Sequence, residues 1–430
     1  MNLLQLMQAS LNLNIEVYGA SYADQDRLYS FESSWPIVDM REIRNSELGK
    51  FKFSHIFSAN HIGFLNRPRG ESRNVLIQAA IHLIESPKLF YPNGTASLIN
   101  VCRNSIDFYI TQHTRMKELL FTILGFLIGF EDRDRILTSR LSVRPIDKSD
   151  RDSKRKNIRR ELGIDENDIV ILNAGGAWKW TSFNIFLSEF SKSVIKPGYE
   201  RLFFIQPALG QSENRDHLSY HKETEELISS LSAEQRSRIY IGSDWVSAGS
   251  RLDDFLFAAD YGLNLNDESL EQWQSYRVRT LEYLAADLPI ISSRGTFWDT
   301  EGFDDSFLFV DDPKEDLRRI FTEIIDDAID APKYRNRQKE IKLIQNRLNL
   351  NSQAERTIIT LLGHPLRNEK PNISKSPLWD YSHSGPAESI TPYRILIRFY
   401  YQALENRCIH AFLVKIGLRR MVRIFRKLLS

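Results

Sequence analysis

The sequence predicts an α/β protein in which parallel sheets are covered by helices, and three observations support that prediction. From Asp165 onward six continuous apolar runs (IVILNAG, RLFFIQP, RIYIG, YGLNLN, LPIISS and SFLFVDD) recur with helical stretches between them. A strand buried on both faces has no polar side, so it reads as an unbroken apolar run rather than an alternation. Residues 1–147 repeat the rhythm with shorter segments, IEVYGAS, HIFSAN, KLFYP and DFYIT, set among helix-like stretches. At 430 residues the chain exceeds one ordinary core, which implies roughly two to three domains.

Taken in chain order, the N-terminus MNLLQLMQASLNLN has neither a basic n-region nor a small-residue cleavage site. It does not read as a secretory signal, and a cytoplasmic location is expected. Leu119 to Phe130 (LLFTILGFLIGF) is apolar over 12 residues. A membrane-spanning helix needs about 20, so a buried helix is expected there. Residues 148–164 (KSDRDSKRKNIRRELGI) read as a charged linker leading into a short helix. Residues 165–363 form a Rossmann-like domain of six strands that ends in the helical segment 313–363. Residues 364–392 are rich in Pro, Ser and polar side chains and read as a linker.

Beyond Pro392 the chain turns helical. Val414, Leu418, Met421, Val422, Phe425 and Leu429 recur at helical spacing beside Arg419, Arg420, Arg423, Arg426 and Lys427. Residues 393–430 hold nine Lys/Arg against the single acid Glu405, a local charge of +8 that leaves −7 on the rest of a chain whose net charge is +1. An acidic body argues against nucleic acid as a partner. The tail suits an in-plane helix on an anionic membrane surface, and packing against the acidic body is the alternative.

Composition narrows the classes further. Hydrophobic content of 42% with 26% charge excludes global disorder. Two distant cysteines, Cys102 and Cys408, exclude a disulfide scaffold and fit a reducing compartment. The D-x-D pattern of metal-dependent transferases occurs at Asp132–Asp134 and again at Asp150–Asp152, inside the charged segment. Its recurrence there marks it as a solvated loop, and no metal is expected. His55, His61 and His113 read as structural.

Two segments have the composition of a ligand site. Asn173-Ala174-Gly175-Gly176-Ala177-Trp178-Lys179-Trp180 follows the first run of the second domain. Glycines between a buried strand and a helix let backbone N–H groups approach a ligand, and the helix start adds positive charge, so the turn suits a phosphate. Lys179 would add a full charge. The turn is not the G-x-G-x-x-G dinucleotide fingerprint, and a plain strand-to-helix connection is its bland alternative. The second segment leaves a strand as Asn264 to Glu271 and enters a helix through Arg277 and Arg279. Cations at a helix start oppose its dipole at a cost of roughly a few tenths of a kcal/mol unless an anion compensates. The two arginines point to different helix faces, so at least one should be partly enclosed, and a diphosphate would satisfy both that arginine and the helix terminus. An internal ion pair of Arg277 or Arg279 with Glu271 or Glu282 is the alternative.

These segments resemble the family 4 glycosyltransferases, specifically the bacterial surface-polysaccharide branch. The resemblance rests on Gly175, Gly176, Trp178 and Trp180, then on Leu270, Glu271, Ser275, Arg277, Arg279, Leu281, Glu282, Tyr283, Leu284, Ala286, Leu288, Pro289 and Ile290. Asp244-Trp245-Val246 is similar to the family's Gly-Trp-Val turn. The order and separations agree over some 140 residues, with weaker similarity upstream through Asp107 to Ile110. The resemblance implies a GT-B fold, two Rossmann-like domains facing across a cleft, the N-terminal one (1–147) on the acceptor side and shortened. It implies a nucleotide-sugar donor held by the second domain. Glu282 would take the ribose hydroxyls, Gly176 and Lys179 with Arg277 the diphosphate, and Glu271 the sugar hydroxyls, with Trp245 at the base. Transfer would be retaining and metal-independent, onto a glycan or lipid-linked acceptor at the membrane.

The sequence departs from the family pattern at three places. Gln274 stands where the common pattern has a second glutamate, and Asp287 where it has a small residue. The opening MNLLQLMQASLNLNIEVYGAS reads as the helix and strand that follow the family's first strand and Gly-rich loop, which implies either a shortened chain or a diverged acceptor site. A non-catalytic scaffold of a polysaccharide assembly complex, or a GT-B nucleotide-sugar epimerase, are the rival functions.

Overall fold

A computed structural model describes residues 102, 105–209, 215–242, 251–266, 277–294, 298, 303, 305–348, 350–365 and 370–373, together with four earlier strands. The chain divides into two compact units, Ser142–Asn349 and Met1–Leu141 with Leu350–Ser430.

In the first unit β1 (Gly19–Ser21) and β2 (Ile37–Asp39) form a parallel pair. β3 (His55–Ser58), β4 (Arg73–Ile77), β5 (Phe108–Thr111) and β6 (Ile136–Thr138) form a parallel sheet in sequential order. The apolar run expected to be a buried helix lies in α1 (Thr114–Ile128), which turns Met116, Leu119, Leu120, Leu124 and Ile128 inward. His113 opens that helix, its Nδ1 accepting the Met116 N–H at 3.3 Å. Gly129, at φ +71, closes it, with the Phe130 N–H returning to the Leu124 carbonyl at 3.3 Å. With the Gly129 N–H on the Gly125 carbonyl at 3.1 Å this is an αL ending, where a residue without Cβ takes the left-handed conformation at little cost.

The second unit is a six-stranded, wholly parallel sheet in the order β12-β11-β10-β7-β8-β9. Its strands are β7 (Ile169–Leu172), β8 (Leu202–Gln206), β9 (Ile239–Ile241), β10 (Tyr261–Asn264), β11 (Ile290–Ser293) and β12 (Phe307–Val310). Each falls within one of the six apolar runs. The helices follow in order: α2 (Arg151–Glu161), α3 (Phe183–Val194), α4 (Arg215–Ser230), α5 (Ala233–Arg236), α6 (Leu252–Ala258), α7 (Val278–Ala285), α8 (Pro313–Ile329) and α9 (Ala331–Arg347). The order runs outward from β7 in both directions, so the chain's direction of travel reverses between β7 and β10. In a doubly wound sheet that reversal opens a crevice at the carboxyl ends of the strands.

The core beneath is aromatic. α3 presents Phe183, Phe186, Leu187, Phe190 and Val194 at helical spacing, and Phe186 and Phe190 meet Phe204 of β8 and Phe321 of α8 at centroid distances of 4.8–6.0 Å. Burial of each such ring stabilises by about 1.5–3 kcal/mol.

The charged segment read as a linker leading into a short helix carries α2, which docks within the second unit. Arg155 Nη1 donates to the carbonyls of Phe257, Ala258 and Ala259, and Arg159 Nε donates to Ala258 O at 3.0 Å. The two guanidiniums also grip the Asp260 carboxylate at 2.7 and 2.6 Å. α2 thus satisfies the carbonyls that end α6, and cations are favoured at a helix C-terminus. Asp287 explains itself in the same region. It sits at φ +61, where a residue without Cβ would be unstrained, and its carboxylate accepts from Lys148 Nζ at 2.6 Å, Arg151 Nη1 at 3.2 Å and Gln345 Nε2 at 2.8 Å.

α10 (Leu350–Leu362) groups with the first unit. Its Thr357 Oγ1 bonds Ser139 Oγ at 2.7 Å, its Ile358 and Leu361 are buried, and His364 beyond it lies edge-on to Phe108. Asp132 of the first D-x-D accepts from Arg135 Nε at 3.0 Å and from the Asn372 N–H at 2.6 Å. No helix among the described residues is long and apolar enough to cross a membrane. Residues 393–430 lie outside the described residues.

Candidate functional site

Three strands end at the crevice on buried amides. Asn173 follows β7, Gln206 closes β8 and Asn264 closes β10, each at most 2% exposed. A buried amide must find partners, and these use theirs to shape the turn after β7. Asn173 Nδ2 donates to Gln206 Oε1 at 2.6 Å, and Gln206 Nε2 donates to the Gly175 carbonyl at 2.7 Å and also to the Ala208 carbonyl. Asn264 Nδ2 reaches Ser292 Oγ at 3.2 Å on β11.

α7 fixes the turn from the other side. Tyr283 is wholly buried, and its hydroxyl donates to Leu263 O at 2.9 Å while accepting the Ala174 N–H at 2.8 Å. One phenol therefore joins the exits of β7 and β10. Burial pushes this phenol up to about 12, so it stays a neutral donor. Its ring lies against Gly262, where a Cβ would overlap it. Arg279, one turn earlier on α7, donates from Nη1 to Asn173 Oδ1 at 2.8 Å. Its guanidinium covers Gly175 so closely that a Cβ there would lie 2.7 Å from Cζ.

The result is a concentration of donors. The N–H groups of Gly175 and Gly176 donate to no acceptor among the described residues, although Gly176 is buried. Two adjacent amides beside a guanidinium would make an anion cradle, the amides supplying dipoles and the arginine a charge. The turn is narrow because Gly176 abuts the Trp178 indole, which stacks on Trp180 at 5.5 Å and on His221 at 5.3 Å.

The structure thus brings together Gly175, Gly176, Trp178 and Arg279. Lys179 is exposed at the start of the 3₁₀ turn Lys179–Thr181. Arg277 is the residue before α7, at φ +52 and ψ 108, a conformation that costs a non-glycine residue about 1–3 kcal/mol and concentrates at ligand sites. Glu282 does not pair with Arg279. Its Oε2 accepts from Arg144 Nε, and the same guanidinium binds Asp253. Trp245 and Glu271 lie outside the described residues. Sequence reasoning did not assign Asn173, Gln206, Tyr283, Arg144 or Asp253. The amides had a legible signal, a polar residue closing an otherwise apolar run at the end of each of three parallel strands.

No protein-family model matches the chain, and no curated protein matches it. Among solved structures it is similar to Anabaena Alr3699/HepE in complex with UDP and glucose, at 14% identity, 84% of this chain, 95% of that one and a TM-score of 0.59. A glycosyltransferase from Rickettsia africae aligns at 12% identity over 85% of this chain and 94% of that one, with a TM-score of 0.61. An E. coli structure, trehalose-6-phosphate bound with UDP-2-fluoro glucose, aligns at 14% identity over 76% of each chain, with a TM-score of 0.55. The fold is therefore that of the GT-B glycosyltransferases.

Proposed function

We propose that the chain is a glycosyltransferase that moves a sugar from a nucleotide-diphosphate donor to a lipid-linked surface-polysaccharide acceptor. The observation behind this reading is the cradle of Gly175 and Gly176 N–H groups beneath Arg279, at the point where the sheet reverses. The similar structures bound to UDP and glucose and to UDP-2-fluoro glucose support a nucleotide sugar as the ligand. The motif of Glu271, Arg277, Arg279 and Glu282 supports the surface-polysaccharide branch of family 4.

In this reading the donor's diphosphate rests on the two amides and Arg279, with Lys179 and Arg277 flanking it. When the bond from the anomeric carbon to the β-phosphate oxygen breaks, negative charge grows on that oxygen. Donors fixed in place before the reaction stabilise that charge without reorganising. They supply the countercharge without a metal ion. Glu282 takes a ribose hydroxyl, Glu271 the sugar hydroxyls and Trp245 the base, and the product retains its anomeric configuration. The +8 segment 393–430 holds the enzyme on the cytoplasmic face of an anionic membrane, near its acceptor.

Thermal denaturation against UDP-, GDP-, ADP- and dTDP-sugars tests the reading. Ligand at 100 times its dissociation constant adds about 2.7 kcal/mol of stability. One base series is expected to raise the midpoint, and Arg279→Ala is expected to abolish the rise. No rise with any nucleotide sugar overturns the proposal.

A further inference from the structure

Glu282 is the residue that the proposed function gives to the ribose, and the structure surrounds it with a device that the motif does not contain. Arg144 Nε bonds its Oε2, while Arg144 Nη1 and Nη2 both face Asp253. The planar guanidinium therefore serves two carboxylates from two edges. Arg144 and Asp253 are about one-third exposed and Glu282 is 18% exposed. Glu282 Oε1 has no hydrogen-bond partner among the described residues.

We infer that Arg144 is a positioning residue for nucleotide recognition: it locks Glu282 so that Oε1 remains open to a ribose hydroxyl, and Asp253 anchors the lock. The inference rests on the donor-site reading above. Three physical points support it. Glu282 lies one turn beyond Arg279 on α7, and residues three apart share a helix face. A group bound at Arg279 is thus followed along that face by Glu282, as a ribose follows its α-phosphate. Two carboxylates share one cation, so the trio keeps a net charge of −1 and Oε1 stays a strong acceptor for a neutral hydroxyl. Burial disfavours the Arg144 charge, yet the bonds to Asp253 and Glu282 outweigh it and hold its pKa above the ordinary value. The guanidinium therefore stays charged at any pH at which the protein folds. Without it, Glu282 and Asp253 would face each other as like charges and Glu282 would lose its fixed rotamer.

The test is calorimetric binding of UDP, 2′-deoxy-UDP and 3′-deoxy-UDP to the full chain and to the Arg144→Ala, Arg144→Lys and Asp253→Asn variants. The wild type is expected to prefer UDP over at least one deoxy analogue by on the order of tenfold, the worth of one hydrogen bond to a charged group. Arg144→Ala is expected to bring that ratio close to one. Arg144→Lys, a point charge that cannot serve two carboxylates from fixed edges, is expected to recover only part of it, and Asp253→Asn to fall between. A purely structural role would weaken UDP and both analogues equally and leave the ratio intact. An intact ratio in Arg144→Ala, with UDP still binding, overturns the inference alone. Failure of the wild type to bind UDP, GDP or ADP overturns the donor-site reading and this inference with it.

Discussion

Replacing Tyr283 by Phe removes one oxygen and should loosen the candidate site more than its size suggests. The hydroxyl donates to Leu263 O at 2.9 Å and accepts the Ala174 N–H at 2.8 Å, so the variant loses two hydrogen bonds at once. Each is worth about 1 kcal/mol net, and leaving the buried Leu263 carbonyl unsatisfied adds a desolvation cost of similar size. Ala174 is only half-buried, so water can recover part of its loss. The sum is about 2–3 kcal/mol. In a unit of this size 1 kcal/mol moves the midpoint by about 2–4 °C, and the expected fall is about 4–12 °C. Tryptophan fluorescence is the suitable probe, because five of the seven tryptophans lie in Ser142–Asn349. Amide exchange at Ala174–Gly176 should accelerate in parallel. A fall below about 1 °C, with exchange at the turn unchanged, would refute the view that this phenol ties the exits of β7 and β10 together.

Three further outcomes follow from local geometry. Gly175→Ala places a methyl 2.7 Å from Arg279 Cζ and must push the guanidinium off Asn173; UDP affinity is expected to fall at least about tenfold, for a stability cost near 1 kcal/mol, as read by calorimetry and urea unfolding. Asp287→Asn keeps a residue that tolerates φ +61 and loses the charge facing Lys148 and Arg151; a cost of about 1 kcal/mol is expected, shrinking in 0.5 M salt as screening removes the ionic share. Burial pushes the Cys102 thiol up to about 12, from about 9 for an exposed thiol. The native state therefore keeps a proton that the unfolded chain releases, so this contribution is intact below pH 9 and falls as pH rises above it. By pH 10.5 the loss is about 2 kcal/mol, and Cys102→Ala should flatten the alkaline slope of unfolding free energy by that amount.

The secondary structure of the second unit was legible because five of its six strands are buried throughout, the edge strand β9 being half-buried, and helices such as α3 and α7 are amphipathic. All six strands fall inside the six apolar runs, and FNIFLSEFSKSV coincides with α3. What escaped is interaction through polar groups. Residues 148–164 have only Ile158 and Ile164 as buried apolar anchors, so no periodicity announces that Arg155 and Arg159 cap a helix a hundred residues away. The candidate site stood out by composition and not by pairing. The glycine turn and Arg279 were predicted separately, and the structure joins them through Asn173, 106 positions from Arg279. The ion pair considered for Arg279 and Glu282 gives way to two longer-range partnerships, with Asn173 and Arg144. Sequence spacing within one helix could not reveal either.

In the proposed function the turn after β7 recognises a diphosphate. Calorimetry of a nucleoside, its monophosphate and its diphosphate, in whichever of the uridine, guanosine or adenosine series binds, tests it most directly. The diphosphate is expected to bind at least about tenfold tighter than the monophosphate, since the β-phosphate adds charge-assisted hydrogen bonds. Arg279→Ala should erase that advantage and leave nucleoside binding unchanged. Equal affinities for all three ligands, or an advantage that survives Arg279→Ala, would contradict the account.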